Sequence, residues 1–314
     1  MRRLVLVLAS AACAAPPKPP AAAKPEPAAP EIIDPRTLGE ELQLAVLEAY
    51  RAVAADYADA YQDTLAKDAR VLLLDVRPED LVIGADAARA LQVRHYFAES
   101  RVEVVSQELE AHVAADGGAG WVHDHLSYRV GIEQRRAVLP LRSTAVYARR
   151  EARWLKVQEH VSYAQARDDI LAAARAGKID KPAPIPASSP EKGGKEAEDA
   201  AATVRGSLSA ASAFATDALI EPPWSGDDRR GAGASVAAIF GGATVKDEGL
   251  FVDLSASKTV AWAAANLSVA QGGVAVPVRA TWVLELRGGM WQIVQLHLSV
   301  PIAQARLESA VYGE

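Results

Sequence analysis

The chain has 314 residues and a formal net charge of −6, with 50% hydrophobic residues but only 6% aromatics. That length suggests one large or two ordinary domains, and the acidic balance argues against a generic nucleic-acid binder. No stretch reaches the roughly 18 apolar residues of a membrane-spanning helix, and a single cysteine can form neither an internal disulfide nor a multi-cysteine zinc site.

The first residues have the make-up of an export signal: Met1-Arg2-Arg3, the apolar run Leu4–Ala9, then Ser10-Ala11-Ala12-Cys13. Small residues running into the only cysteine resemble a bacterial lipoprotein signal, which implies lipidation of Cys13 as the first mature residue. Ser10 departs from the Leu usual three places before that cysteine, and ordinary secretion with cleavage near Ala12 or Ala15 is the alternative. The missing Asp after Cys13 points to the outer membrane, facing the periplasm. Residues 14–37 follow as a tether. Eight of the 18 prolines fall in 14–36, in a composition too poor in large apolar residues to fold.

Four more prolines lie within 181–190, so residues 178–196 are expected to be a linker between folded blocks at 38–177 and 197–303, with a tail at 304–314. The blocks are copies of each other. With an offset of 137, Pro140, Arg142, Thr144, Val146, Arg150, Trp154, Val157, Gln158, His160 and Ser162 all meet their own residue type, ending in a shared W-x-x-V-Q-x-H-x-S. Upstream the offset is 141, pairing Trp121 with Trp262 and Leu126-Ser127 with Leu267-Ser268. A four-residue difference in the connection between these stretches accounts for the change. Two copies are too few for a solenoid, so each is expected to have its own core.

In the first copy, Leu42, Val46, Ala49, Val53 and Tyr57 recur at three- and four-residue steps, which predicts a helix over 39–67. A shorter helix is expected over 84–97. The period then falls to two, predicting strands near 101–115, 121–133, 138–150 and 153–163, with Asp116-Gly117-Gly118 as a turn. Helices followed by an antiparallel meander make an α+β fold.

This order of elements resembles the nuclear transport factor 2-like cone fold, and more narrowly the SnoaL-like domains. The features that carry the resemblance are Trp121 with Leu126-Ser127-Tyr128, the run Trp154–Ser162, their partners in the second copy, and Val71–Leu74 with the loop Asp75–Asp80. It covers most of 40–163 and 245–302, and covers 203–244 poorly. It implies a pocket between helices and sheet, with isomerase, cyclase, dehydratase or purely binding roles, so fold alone carries no catalytic claim.

Tyr50, Tyr57 and Tyr61 would share a helix face and could orient a small molecule there, or serve as core. Trp121, His123 and His125 alternate with Val122 and Asp124. The two imidazoles could begin a metal site, but no third ligand is visible nearby. Asp124, on an apolar strand face, could be a buried proton-transfer base, as the resemblance to ketosteroid isomerases and SnoaL cyclases implies, or a hydrogen-bonded strand residue. Trp154, Gln158, His160 and Ser162 would share one face, as would Trp291, Gln295, His297 and Ser299. The repeated histidines suit a common structural job, or else a polar pocket floor. Together with Arg142 and Trp262 these complete the pocket candidates. His95 is read as structural, and His112 has no assigned role. The sequence contains no G-x-G-x-x-G, P-loop, G-x-S-x-G or H-E-x-x-H motif.

The expectation is an envelope-anchored, non-catalytic binding or interaction protein with no cofactor and no bound metal. It would take a small apolar ligand or an envelope protein partner, and its two copies could pair as a pseudo-dimer. The alternative is a proton-transfer enzyme in the first copy using Asp124 with His123 or His125.

Overall fold

The computed structural model describes residues 34–68, 70–98, 101–132, 135–186, 194–226, 228–231, 234–303, 305–307 and 309. The expected signal at 1–13 and nearly all of the tether at 14–37 lie outside them.

Helix α1 (Pro35–Ala54) starts where Asp34 accepts the Arg36 amide at 2.9 Å and Pro35 supplies a preset φ. Its buried stripe is Leu38, Leu42, Val46, Ala49 and Val53. The predicted helix over 39–67 is broken, because Asp56 takes φ 61°, a left-handed value that no helix interior accommodates. The chain restarts as α2 (Ala58–Gln62). Strands β1 (Leu72–Leu74) and β2 (Leu81–Ile83) lead to α3 (Ala85–Val93), extended by a π-turn over Arg94–Ala98. Then come β3 (Arg101–Ser106), β4 (Glu110–Val113), β5 (Ala119–Ile132), β6 (Arg135–Arg150) and β7 (Arg153–Tyr163). Helix α4 (Arg167–Arg175) closes this copy.

The second copy begins with α5 (Gly194–Ser207) and a 3-10 turn at Ala211–Ala213. Strands β8 (Phe214–Glu221) and β9 (Arg229–Arg230) follow, then the single turn α6 (Val236–Ile239). The meander β10 (Thr244–Leu254), β11 (Val260–Gln271), β12 (Val274–Arg287) and β13 (Met290–Ser299) completes it. The first sheet has the order β2-β1-β7-β6-β5-β3, with β4 also on β5, and the second β10-β11-β12-β13-β8-β9. The short parallel strand in each pairs at the repeated histidine: Leu74 opposite His160, Glu221 opposite His297. The offset change comes from the β5–β6 hairpin, whose strands have 14 and 16 residues against 12 and 14 for β11 and β12.

Each sheet carries helices on one face. On the first, Leu38, Leu42 and Val46 pack with Val122, Ala145, Tyr147 and Trp154. The opposite faces of the two sheets meet, joined by residues of the repeat. His160 reaches Thr281 Oγ1 at 3.0 Å and Ser299 Oγ at 2.7 Å; His297 reaches Thr144 Oγ1 at 3.0 Å and Ser162 Oγ at 2.8 Å. The two rings stack with centroids 3.9 Å apart. Gln158 donates to the Ala263 carbonyl and Gln295 to that of Val122. Arg142 donates to the Pro222 carbonyl, while Arg279 serves the carbonyls of Asp75, Arg77 and Pro78 at 2.5, 2.8 and 2.6 Å. A neutral imidazole has one donor and one acceptor, and a hydroxyl can play either part. Two hydroxyls per ring therefore satisfy each histidine without any charge.

The chain segments leaving each sheet also cross over. After β7, Gln165 bridges to Trp224, Arg167 lies 4.9 Å over the Trp224 ring, and Ile185 is buried in a core that both copies fill, so the copies do not have wholly separate cores. Much of the expected linker at 178–196 is thus laid on the protein: Ala183 donates to the Pro78 carbonyl and accepts from Asn266. After β13, the Ile302 amide bonds the Val76 carbonyl, and Ile302 with Leu307 joins the first copy's core.

Candidate functional site

Two places gather chemistry. The first is the helix-facing side of the first sheet. Tyr50, Tyr61, Tyr96, Tyr128 and Tyr147 stand there with Asp124, Gln92, Lys156 and Glu159, and burial pushes all five phenols well above their usual range. Tyr96 and Tyr128 share a hydrogen bond of 2.6 Å, Gln92 donates to the Tyr61 hydroxyl at 3.1 Å, and Lys156 pairs with Glu159 in the interior. Strand β3 leaves β5 after Ser106, and β4 joins it at Glu110. Asp124 lies opposite that gap, is fully buried, and accepts the Glu108 amide at 3.1 Å. Burial raises its pKa, against the opposing pull of Ser106 and the neighbouring amides. The residue therefore plugs a break in strand pairing.

The second place is the seam between the sheets, at the edge beside β8. His123 Nδ1 lies 2.9 Å from Glu221 Oε1, and the His123 and His125 rings meet edge to face at 5.4 Å. His125 stands between Asp228 and Glu108, each at 3.0 Å, and the bond to Asp228 holds its pKa up despite partial burial. Glu221 is fully buried, with Oε2 3.3 Å from His297 Nδ1.

A model of the SnoaL-like domain matches residues 44–166 and again 205–303, more than two thirds of the chain. The chain belongs to the SnoaL-like family. Among curated proteins, none matches this sequence. Among solved structures, a candidate dehydratase of the nuclear transport factor 2-like family from Streptomyces avermitilis is similar at 15% identity, over 42% of this chain and 100% of its own, with TM-score 0.38. A nuclear transport factor 2-like protein of unknown function from Pseudomonas putida is similar at 18% identity, over 43% and 92%, with TM-score 0.35.

Within the SnoaL-like domains the pocket candidates separate. Tyr50, Tyr61 and Trp154 face the inside of the first. Tyr57 does not: the helix break turns it out, and it is 66% exposed. Trp121, Arg142, His160, Trp262 and His297 belong to the seam, and Trp291 lies beside α5 on the helix side of the second sheet. The expected common face of Trp154 and His160 fails because Val146 pairs with Gln158 while Tyr147 pairs with Lys156, so Val157 bulges out and reverses the alternation. Val294 does the same between Trp291 and Gln295. His95 is structural, bonding Asp75 at 2.7 Å within a cluster where Arg77 and Arg94 pair with Asp80. His112 stacks on Trp121, with centroids 5.8 Å apart. Sequence reasoning missed Tyr96, Tyr147, Lys156, Glu159 and Glu221. Only Tyr128, two positions from Leu126 and four from Asp124 on one strand, had a readable signal.

Proposed function

We propose that this SnoaL-like protein is a non-catalytic binding or interaction module, exported and tethered to the envelope through Cys13. The observation that carries this reading is where the repeated polar residues go. Arg142/Arg279, Thr144/Thr281, Gln158/Gln295, His160/His297 and Ser162/Ser299 all bond across the seam, so the duplication serves to join two domains into one body. Asp124 supports a loop. The occupant is a small apolar ligand or an envelope protein.

Asp124→Asn tests the enzymatic alternative. Asn keeps the acceptor for the Glu108 amide and removes a carboxylate that burial disfavours, so stability should change by less than about 1 kcal/mol by chemical denaturation. Loss of a measurable proton-transfer activity with an intact fold would instead make Asp124 a base. For the anchor, Cys13→Ser in the full chain should move the protein from the membrane pellet to the soluble fraction. Retention in the pellet would sink the tether. Apolar metabolites that bind should raise the melting temperature, since a ligand at about 100 times its Kd adds roughly 2.7 kcal/mol.

A further inference from the structure

We propose that His123, His125 and Glu221 form a binding site for one divalent zinc-like ion at the seam between the two domains. The three side chains offer ligand atoms that all lie within 4.8 Å of one another. Around a tetrahedral zinc, with ligands at about 2.0–2.1 Å, donor atoms stand roughly 3.4 Å apart. Side-chain rotations of about an ångström therefore close the set. Two imidazoles and one carboxylate are the donors that borderline first-row ions, zinc above all, take with a position left open.

Glu221 supplies the independent sign of a ligand. It is fully buried, and neither carboxylate oxygen has a directed hydrogen bond, although His123 and His297 nitrogens lie 2.9 and 3.3 Å away. A buried carboxylate without directed donors is costly. The nearby guanidinium of Arg142 offsets that charge only from a distance and does not relieve it fully: its terminal nitrogens donate to the Pro222 and Leu298 carbonyls and the Ser162 hydroxyl, and its Nε–H has no partner among the described residues. A cation seated between Glu221 and the two imidazoles would. Glu108 and Asp228 lie 3.0 Å from the two nitrogens of His125; with one nitrogen turned to the ion, the carboxylate at the other is the outer partner that orients a ligating imidazole.

The matching place in the other half makes the contrast. The repeat puts Ala264 and Asn266 where His123 and His125 stand, and Leu74 opposite His160 where Glu221 stands opposite His297. All three ligand types are present together on one side of the seam and absent together on the other. The second candidate cluster, Asp75, Asp80 and His95, differs in kind, since Arg77 and Arg94 already neutralise Asp80.

The test uses the full chain, stripped with chelator and titrated with zinc, read by calorimetry and by metal content after gel filtration. One ion per chain is expected, with a rise in melting temperature of several degrees. Cobalt in its place should give the visible absorption of a four- or five-coordinate ion. Glu221→Gln should weaken zinc binding at least 100-fold, and His125→Asn, which installs the second copy's residue at a partly exposed position, at least tenfold. If Glu221→Gln fails to fold, His125→Asn still decides. No zinc binding to the stripped chain, or binding that His125→Asn leaves unchanged, would overturn the site. So would binding lost in His95→Gln instead.

Discussion

Arg279→Met should destabilise the protein by about 3–5 kcal/mol, the cost of leaving several buried acceptors unpaired. Arg279 is fully buried, and burial lowers its pKa to about 10, still leaving it charged at neutral pH. Its two terminal nitrogens hold the carbonyls of Asp75, Arg77 and Pro78, the loop between β1 and β2 of the other domain. Methionine fills much of the volume but donates nothing. Arg279→Lys should recover part of the loss, since an ammonium keeps the charge without the fork that spans three carbonyls. Arg287→Met is the control. That guanidinium is partly exposed and pairs with Asp217 and Glu285 near the surface, so it should cost less than about 1 kcal/mol. Equilibrium denaturation of the three variants checks the order. An Arg279→Met protein as stable as the parent would mean that the loop carbonyls find other donors.

Mild acid should weaken the fold before the ordinary carboxylates titrate; Asp124, raised by burial, is the exception and acts against the slope. Burial, with Arg279 and Arg142 nearby, holds His160 well below its usual pKa, and burial with His160 and Arg142 does the same for His297. Glu221, 3.3 Å from His297, pulls that ring the other way, so His160 is the firmer contributor. Both folded-state pKa values lie below the unfolded value of about 6.5. Stability is then fully present above pH 6.5 and lost as pH falls below it, because the unfolded chain takes up protons that the folded one refuses. The slope should be about 1.4 kcal/mol per pH unit for one histidine and about 2.7 for both. His95 and His125 have raised pKa values, so their contribution is complete below pH 6.5 and changes only above it. They do not offset the slope between about pH 6 and 5. Denaturation midpoints across that window check it, and His160→Gln should flatten the slope. A flat profile in the parent would mean that the stacked pair accepts a proton without cost.

The repeat was legible because the seam constrains both copies in the same way. Arg, Thr, Gln, His and Ser recur at fixed spacing because each makes the same reach across to the other sheet. Helix α1 was legible from its stripe down to Val53. Its end was not, since Asp56 rather than glycine or proline takes the left-handed turn. The strands were found, but the face of Trp154 was misread, because one bulged residue reverses every alternation argument beyond it. Residues 178–186 looked like a linker by their prolines, yet Ile185 and Ile179 pack into the core and Ala183 bonds Pro78 and Asn266. Glu221 could not be tied to His123 from sequence, because nearly 100 residues and a separate sheet lie between them.

The crossing of the two chain ends has a consequence for anyone dissecting the molecule. Ile302 and Leu307, at the far end of the sequence, complete the hydrophobic interior of the first half, and α4 with Ile185 lies over the second. A cut anywhere in 186–194 would deprive each fragment of a segment it needs and bare a sheet face set with histidine, arginine and glutamine. The halves are joined like a lap joint, so the smallest separable piece is the pair, and a circular permutant opened between 186 and 194 would preserve what a truncation destroys.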